Sequence, residues 1–121
     1  MSRTDVGFTN SHRTTIHVAY CRWDGACLDD CGDGWDVLGW IRLAPGETRT
    51  RANPTGNRWF YYYAEAEDGT IYNGPFPDHV TDTAFQLCSC LGVSVSDGTN
   101  PWYNVGFDEL DLDTWSGVNF L

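Results

Sequence analysis

Cysteines, aspartates, histidines and a run of aromatic rings are the residues of this sequence with types and spacings that could do chemistry. Cys27 and Cys31 are separated by three residues and Cys88 and Cys90 by one, with Cys21 as a fifth thiol. Four thiolates from the two pairs would suit a tetrahedral zinc ion, although neither pair has the two-residue gap of common zinc knuckles. The same residues could close two disulfides with one thiol left over, or stay reduced and mostly buried as small hydrophobes. A bridge from Cys21, Cys27 or Cys31 to Cys88 or Cys90 would close a long loop and stabilise the fold by about 3–5 kcal/mol.

The stretch from Asp24 to Asp36 carries Asp24, Asp29, Asp30, Asp33 and Asp36, hard oxygens of the kind calcium takes, and Asp33-Gly34 would let the chain fold around an ion. The alternation and closing Glu of an EF-hand are absent, so the other reading is a solvated acidic loop. His12, His17 and His79 are scattered. Asp78, His79 and Asp82 could supply a general base, and Cys88 or Cys90 beside His79 a nucleophile, as in a small hydrolase-like enzyme. No G-x-S-x-G, H-E-x-x-H or phosphate-cradling glycine loop accompanies them, and the expectation leans away from catalysis.

The aromatic constellation is the densest. Five consecutive rings, Trp59 to Tyr63, lead into Ala64-Glu65-Ala66-Glu67 and an Asp68-Gly69 turn signal. Rings pack well on a pleated surface, so this stretch reads as a strand. Alternation puts Trp59, Tyr61, Tyr63, Glu65 and Glu67 on one side and Phe60, Tyr62, Ala64 and Ala66 on the other. A two-residue Asp68-Gly69 hairpin loop would set Tyr72 opposite Glu65 and Phe76 opposite Tyr61, adding both to the first side. Rings beside carboxylates can stack the C–H face of a sugar, or hold a basic peptide or quaternary amine by cation–π contact. In a sandwich the same rings could instead be core filling. Phe60 and Tyr62 are the expected core residues. Trp59, Tyr61, Tyr63, Tyr72 and Glu65 form the expected binding surface of a non-enzymatic recognition module for a small ligand, glycan or basic protein partner.

The elements that must position these groups are short strands. Asp5 to Thr9, Thr15 to Cys21, Val37 to Leu43, Thr48 to Arg51, Leu91 to Ser96 and Trp102 to Asp113 read as strands beside the aromatic hairpin. Ala44-Pro-Gly-Glu47, Ala52 to Asn57 and Asp97 to Pro101 read as turns. Pro75 to His79 reads as a break because of its two prolines, Trp115 to Leu121 as a tail, and Thr81 or Asp82 as the cap of one helical turn through Ala84, Phe85 and Leu87. The expectation is an all-β chain, one β-sandwich-like domain over residues 1–121 made of short antiparallel strands with at most one short helical turn.

Composition bounds the function classes. Hydrophobic residues make up 41% of the 121 residues, with six each of Trp, Tyr and Phe, too many for a disordered chain. The formal charge is −10, from seven Arg and no Lys, which disfavours phosphate backbones and anionic membranes and suits cations or basic partners. No stretch is long enough to span a bilayer. Met1 to Phe8 lacks the apolar run of a secretory signal, which leaves a cytoplasmic protein or one with its leader removed as the two readings.

Phe8-Thr-Asn10 before a strand ending in Tyr20, Gly39-Trp40, Ala44-Pro-Gly-Glu47, Tyr61-Tyr-Tyr-Ala-Glu65 with Gly69 beyond it, and Gly106-Phe107 before an acidic strand occur in that order. Together, over roughly Val6 to Asp111, they resemble a bacterial family known only as domain of unknown function number ten-thirty-six. The resemblance implies a small β-rich domain, often behind a signal sequence or membrane anchor, with no established activity and no catalytic residue to transfer. The Asp- and Cys-rich insert at Asp24 to Asp36 departs from that pattern.

Overall fold

The structure is a computed structural model, and it describes residues 4–23, 35–81, 85–88 and 103–121. Its elements are all strands: β1 (Asp5–Asn10), β2 (Ile16–Trp23), β3 (Trp35–Leu43), β4 (Thr48–Ala52), β5 (Trp59–Ala66), β6 (Ile71–Tyr72), β7 (Phe76–Val80), β8 (Phe85–Cys88), β9 (Tyr103–Asp111) and β10 (Gly117–Phe120). They form a three-stranded sheet, β10-β1-β4, and a seven-stranded sheet, β7-β9-β5-β2-β3-β8 with the short β6 beside β5. Every pairing is antiparallel except β1 with β10. The chain is therefore all-β and sandwich-like, as the alternation predicts.

Alternation also sets the core between the sheets. Val6 and Phe8 from β1 and Phe120 from β10 meet Ile16, Val18 and Tyr20 from β2 and Phe60 from β5, all buried. Phe8 touches three rings, Tyr20 at 6.1 Å, Phe60 at 6.2 Å and Phe120 at 6.4 Å between centroids. Phe60 and Tyr62 both serve this side, Phe60 fully buried and Tyr62 packed at its margin. β1 and β2 lie in different sheets, so Asn10 to Thr15 is a crossing between layers, tied by the buried Asn10 amide donating to the carbonyls of Thr14 and Leu43 at 2.9 Å each.

The larger sheet has a second core on its other side. Val37 pairs with Cys21, but Ile41 pairs with Val18, because Trp40 is the extra residue of a bulge. The bulge reverses which residues of β3 face which way: Ile41 and Leu43 serve the inter-sheet core, Val37 and Trp35 the opposite side. There the sheet curls, and the Trp40 indole of β3 donates to the Thr81 carbonyl just beyond β7 at 2.7 Å. Ala19, Cys21, Val37, Tyr63, Val80 and Phe107 are buried inside that curl. Hence β2 is buried on both sides from Val18 to Cys21, although only Ile16, Val18 and Tyr20 read as core from alternation.

Four expectations need correction. The hairpin loop has three residues, not two: the Gly69 N–H donates to the Ala66 carbonyl at 3.0 Å and the Ala66 N–H to the Thr70 carbonyl at 2.8 Å, with Gly69 at φ 91°. That is a tight turn followed by a left-handed glycine, and the one-residue change in register pairs Tyr72 with Ala64 and Ile71 with Glu65. Tyr72 thus lies on the Phe60 side, its ring 5.0 Å from Phe120. Phe76 to Val80 is strand β7 despite Pro77, which an edge strand tolerates because the missing N–H faces away from its one partner, β9. Phe85 to Cys88 is a strand on β3, not part of a helical turn. Gly117 to Phe120 is a strand, not a tail, and Phe120 is buried. Leu91 to Ser96 and the Asp97 to Pro101 turn lie outside the described residues.

Candidate functional site

The side of β5 that carries Trp59, Tyr61, Tyr63 and Glu65 lines the curl of the larger sheet. Its depth is graded. Tyr63 is only 4% exposed and packs on Phe107 and Trp40, with its hydroxyl donating to Glu65 at 2.9 Å. Tyr63 is therefore core, and Glu65 is its acceptor. Tyr72 has left this surface altogether, and its hydroxyl donates to the Leu121 carbonyl at 2.7 Å on the other side of the sheet.

Tyr61 sits at the mouth of the curl in a row of rings. Trp23 of β2 and Trp35 of β3 meet edge-on at 5.2 Å, Trp35 meets Tyr61 at 5.1 Å, and Tyr61 meets Phe76 at 5.1 Å. Trp35 reaches Tyr61 across the small Cys21 of β2, whose thiol is buried. Phe76 is 41% exposed and the other three rings are half-buried. Phe76 reaches Tyr61 through β9, so the expected neighbour is present by a different route.

Glu109 of β9 gives the row its charge. It pairs with Tyr61 across the strands and accepts a hydrogen bond from the Tyr61 hydroxyl at 3.1 Å. Burial, then the Glu109 carboxylate, push the Tyr61 phenol up to about 12. Trp59, one step further out, has Arg58 stacked on its ring at 4.6 Å, and Arg58 in turn grips Asp111 through two hydrogen bonds of 2.9 and 2.8 Å and reaches Asp113 at 3.3 Å. One face of Trp59 is thus already taken. Glu109 and Asp111 share a side of β9, as alternation predicts, and each has its own donor.

Trp23 and Trp35 are absent from the binding surface expected from sequence. Trp23 closes β2 immediately before the Asp24 to Asp36 stretch, and Trp35 opens β3 near the end of it. The signal in the sequence is a Trp-Asp step at each end of the stretch, Trp23-Asp24 and Trp35-Asp36, and the two tryptophans pair directly across β2 and β3.

The metal-ligating expectations fall mostly elsewhere. Asp24, Asp29, Asp30, Asp33, Cys27, Cys31 and Cys90 lie outside the described residues. Asp36 is buried between the sheets, its carboxylate 3.6 Å from the Arg22 guanidinium. Cys88 is placed by its backbone opposite Asp36 on β8. Among the described residues no three His, Cys, Asp or Glu stand together as an ion site. For the catalytic reading, Asp82 and the His79 side chain lie outside the described residues; among those described, His17 comes within 3.6 Å of Glu67, and the shorter imidazole–carboxylate contact is His12 with Asp68, at 2.8 Å. It locks the β1–β2 crossing to the hairpin loop, where the Thr70 N–H, then His12 and Arg13, hold the Asp68 carboxyl well below the usual carboxylate range.

No family model, curated protein or solved structure matches the chain. Among the described residues no helix is long and apolar enough to cross a membrane.

Proposed function

We propose that the protein is a non-enzymatic recognition module that takes a cationic group of a protein partner, a lysine, arginine or methylated lysine side chain, at the mouth of the curled sheet. The observation that supports this reading is the carboxylate of Glu109 set against the row Trp35–Tyr61–Phe76. Ring faces attract a cation through their quadrupole, and an adjacent carboxylate supplies the counter-charge. The net charge of −10 would steer a basic partner toward the site. The proposal keeps Tyr61 from the surface read from sequence, moves Tyr63 and Tyr72 out of it, and adds Trp23, Trp35, Phe76 and Glu109. Kinship with the family of unknown function number ten-thirty-six stays part of this proposal, resting on the ordered residues quoted for it.

The test uses lysine-rich peptides with and without trimethylation, titrated by calorimetry against the wild type and the Phe76→Ala and Glu109→Gln variants. Both side chains are exposed, so stability should hold while affinity falls by about tenfold, the size of one partly desolvated cation–π contact. Binding that survives both changes would remove this surface from consideration.

A further inference from the structure

The smaller sheet carries a different kind of cleft on its outer face. Gly7 and Thr9 of β1 and Gly117 and Asn119 of β10 form its floor, and Trp115 and Ser116 its wall, around a cavity of about 280 Å³. We propose that this cleft holds one neutral pyranose unit of a glycan, stacked on Trp115. The site is separate from the aromatic–acidic mouth and independent of the function proposed for it.

Three features support the assignment. Trp115 is 62% exposed, a large apolar ring standing in solvent beside a concave surface. A sugar presents a C–H face to such a ring and hydroxyls to its surroundings, which here are the Thr9 hydroxyl, paired with Thr48 at 2.8 Å, the Ser116 hydroxyl and the Asn119 amide. No lining residue is ionisable, although 20% of the chain is charged, so the cleft suits a neutral polar ligand rather than an ion. The floor is open because a side chain at Gly7 would meet nothing within 4 Å, while Gly117 must be glycine: a Cβ there would come within 2.2 Å of the Gly7 carbonyl oxygen.

The backbone that carries the ring is also held in place before any ligand arrives. The N–H groups of Thr114 and Trp115 donate to the Asp111 carbonyl at 3.1 and 2.9 Å, and the Asp111 carboxylate takes the Asp113 N–H at 3.0 Å as well as both Arg58 bonds. The Gly7 N–H donates to the Ser116 carbonyl at 3.1 Å, fixing the other end of the turn to β1. A pre-set platform lowers the ordering cost of binding.

The experiment titrates maltohexaose, cellohexaose, laminarihexaose and mannohexaose to about 10 mM, the range in which a single stacked sugar saturates, while following indole N–H resonances. One of these glucan or mannan chains should shift the Trp115 signal. Trp115→Ala and Gly7→Val should each weaken that binding by about tenfold or more. Gly7→Val adds a side chain to the open floor without a clash at Cβ, so its melting temperature should match the wild type. Phe76→Ala should leave glycan binding unchanged, which separates this site from the mouth of the larger sheet. Silence of the Trp115 resonance with all four oligosaccharides would overturn the proposal, as would binding that persists in both cleft variants. A response to a neutral Ser-Val peptide that Trp115→Ala does not alter would also overturn it, assigning the surface to strand addition at β10.

Discussion

The two sheets treat their outward-facing aromatics in opposite ways. The larger sheet curls far enough for β3 to bond the chain beyond β7, so its rings sink inside the curl, and among the described side chains on that face only Phe76 at the rim is well exposed. The three-stranded sheet is too narrow to enclose anything, and Trp115 stands out from it. Charge follows the same division. Glu65 and Glu109 sit among the rings of the curl, each accepting from a phenol, whereas the cleft on the small sheet has no ionisable lining. Curvature decides which rings become core and which remain available: Tyr63 is buried inside the curl, whereas Trp115 beside the narrow sheet stays in solvent.

The largest effect should come from severing the two sheets. Phe8→Ala removes the ring that touches Tyr20, Phe60 and Phe120, and should cost about 3–5 kcal/mol in chemical denaturation, a value usual for a buried Phe. A loss under about 1 kcal/mol would mean that this core does not hold the sheets together. Next in size is Tyr63→Phe, which deletes the hydroxyl bonded to Glu65 inside the curl and should cost about 1 kcal/mol. A gain in stability would show that the hydroxyl is not satisfied there.

Tyrosine ionisation compares the two sides of β5 directly. Tyr61, on the curl side, and Tyr62, on the inter-sheet side beside Asp108, are both pushed from the ordinary 10 to about 12, chiefly by burial and then by their carboxylate acceptors. A raised phenol pKa favours the folded state fully below about pH 10, and that contribution is lost as pH rises through about 12. Absorbance titration should find tyrosines that ionise late, one such signal lost in Tyr61→Phe and another in Tyr62→Phe. Six tyrosines all titrating near 10 would count against both contacts.

The smallest expected effect is acidic. Arg58 lowers the Asp111 carboxyl from 3.8 to about 2. A depressed carboxyl stabilises the fold above its unfolded value, and that help fades as pH falls through about 2. Trp115 fluorescence should therefore hold steady down to about pH 4 and change below it, and Asp111→Asn should remove the transition.

Much of this was readable in advance, for local reasons. Pro45 and Gly46 in the middle of Ala44 to Glu47 announced a turn, which forms with the Glu47 N–H donating to the Ala44 carbonyl at 2.9 Å and Gly46 at φ 85°. Strict alternation announced β2 and β5. What could not be read was set by partners distant in sequence. One additional loop residue moved Tyr72 to the other side of the sheet, and Asp-Gly alone does not fix the length of a hairpin loop. Pro77 looked like a strand breaker because edge position is a property of the sheet. Phe85 and Leu87 are two apart, a spacing too short to choose between strand and helix without β3 alongside. The burial of Tyr63 followed from the curl and the Trp40 bulge, neither of which leaves a periodic trace.

The parallel pairing of β1 with β10 has a kinetic meaning. The small sheet joins strands from opposite ends of the described chain, Gly7 beside Gly117, so its closure carries a loop entropy far above that of any hairpin in the larger sheet. During synthesis the large sheet's inner face, with Tyr20 and Phe60 stacked at 5.7 Å, would have to wait for Phe120 to emerge before its cover was complete. Until then this face is the adhesive part of the nascent molecule, and delayed closure at Gly117 would be read out as aggregation.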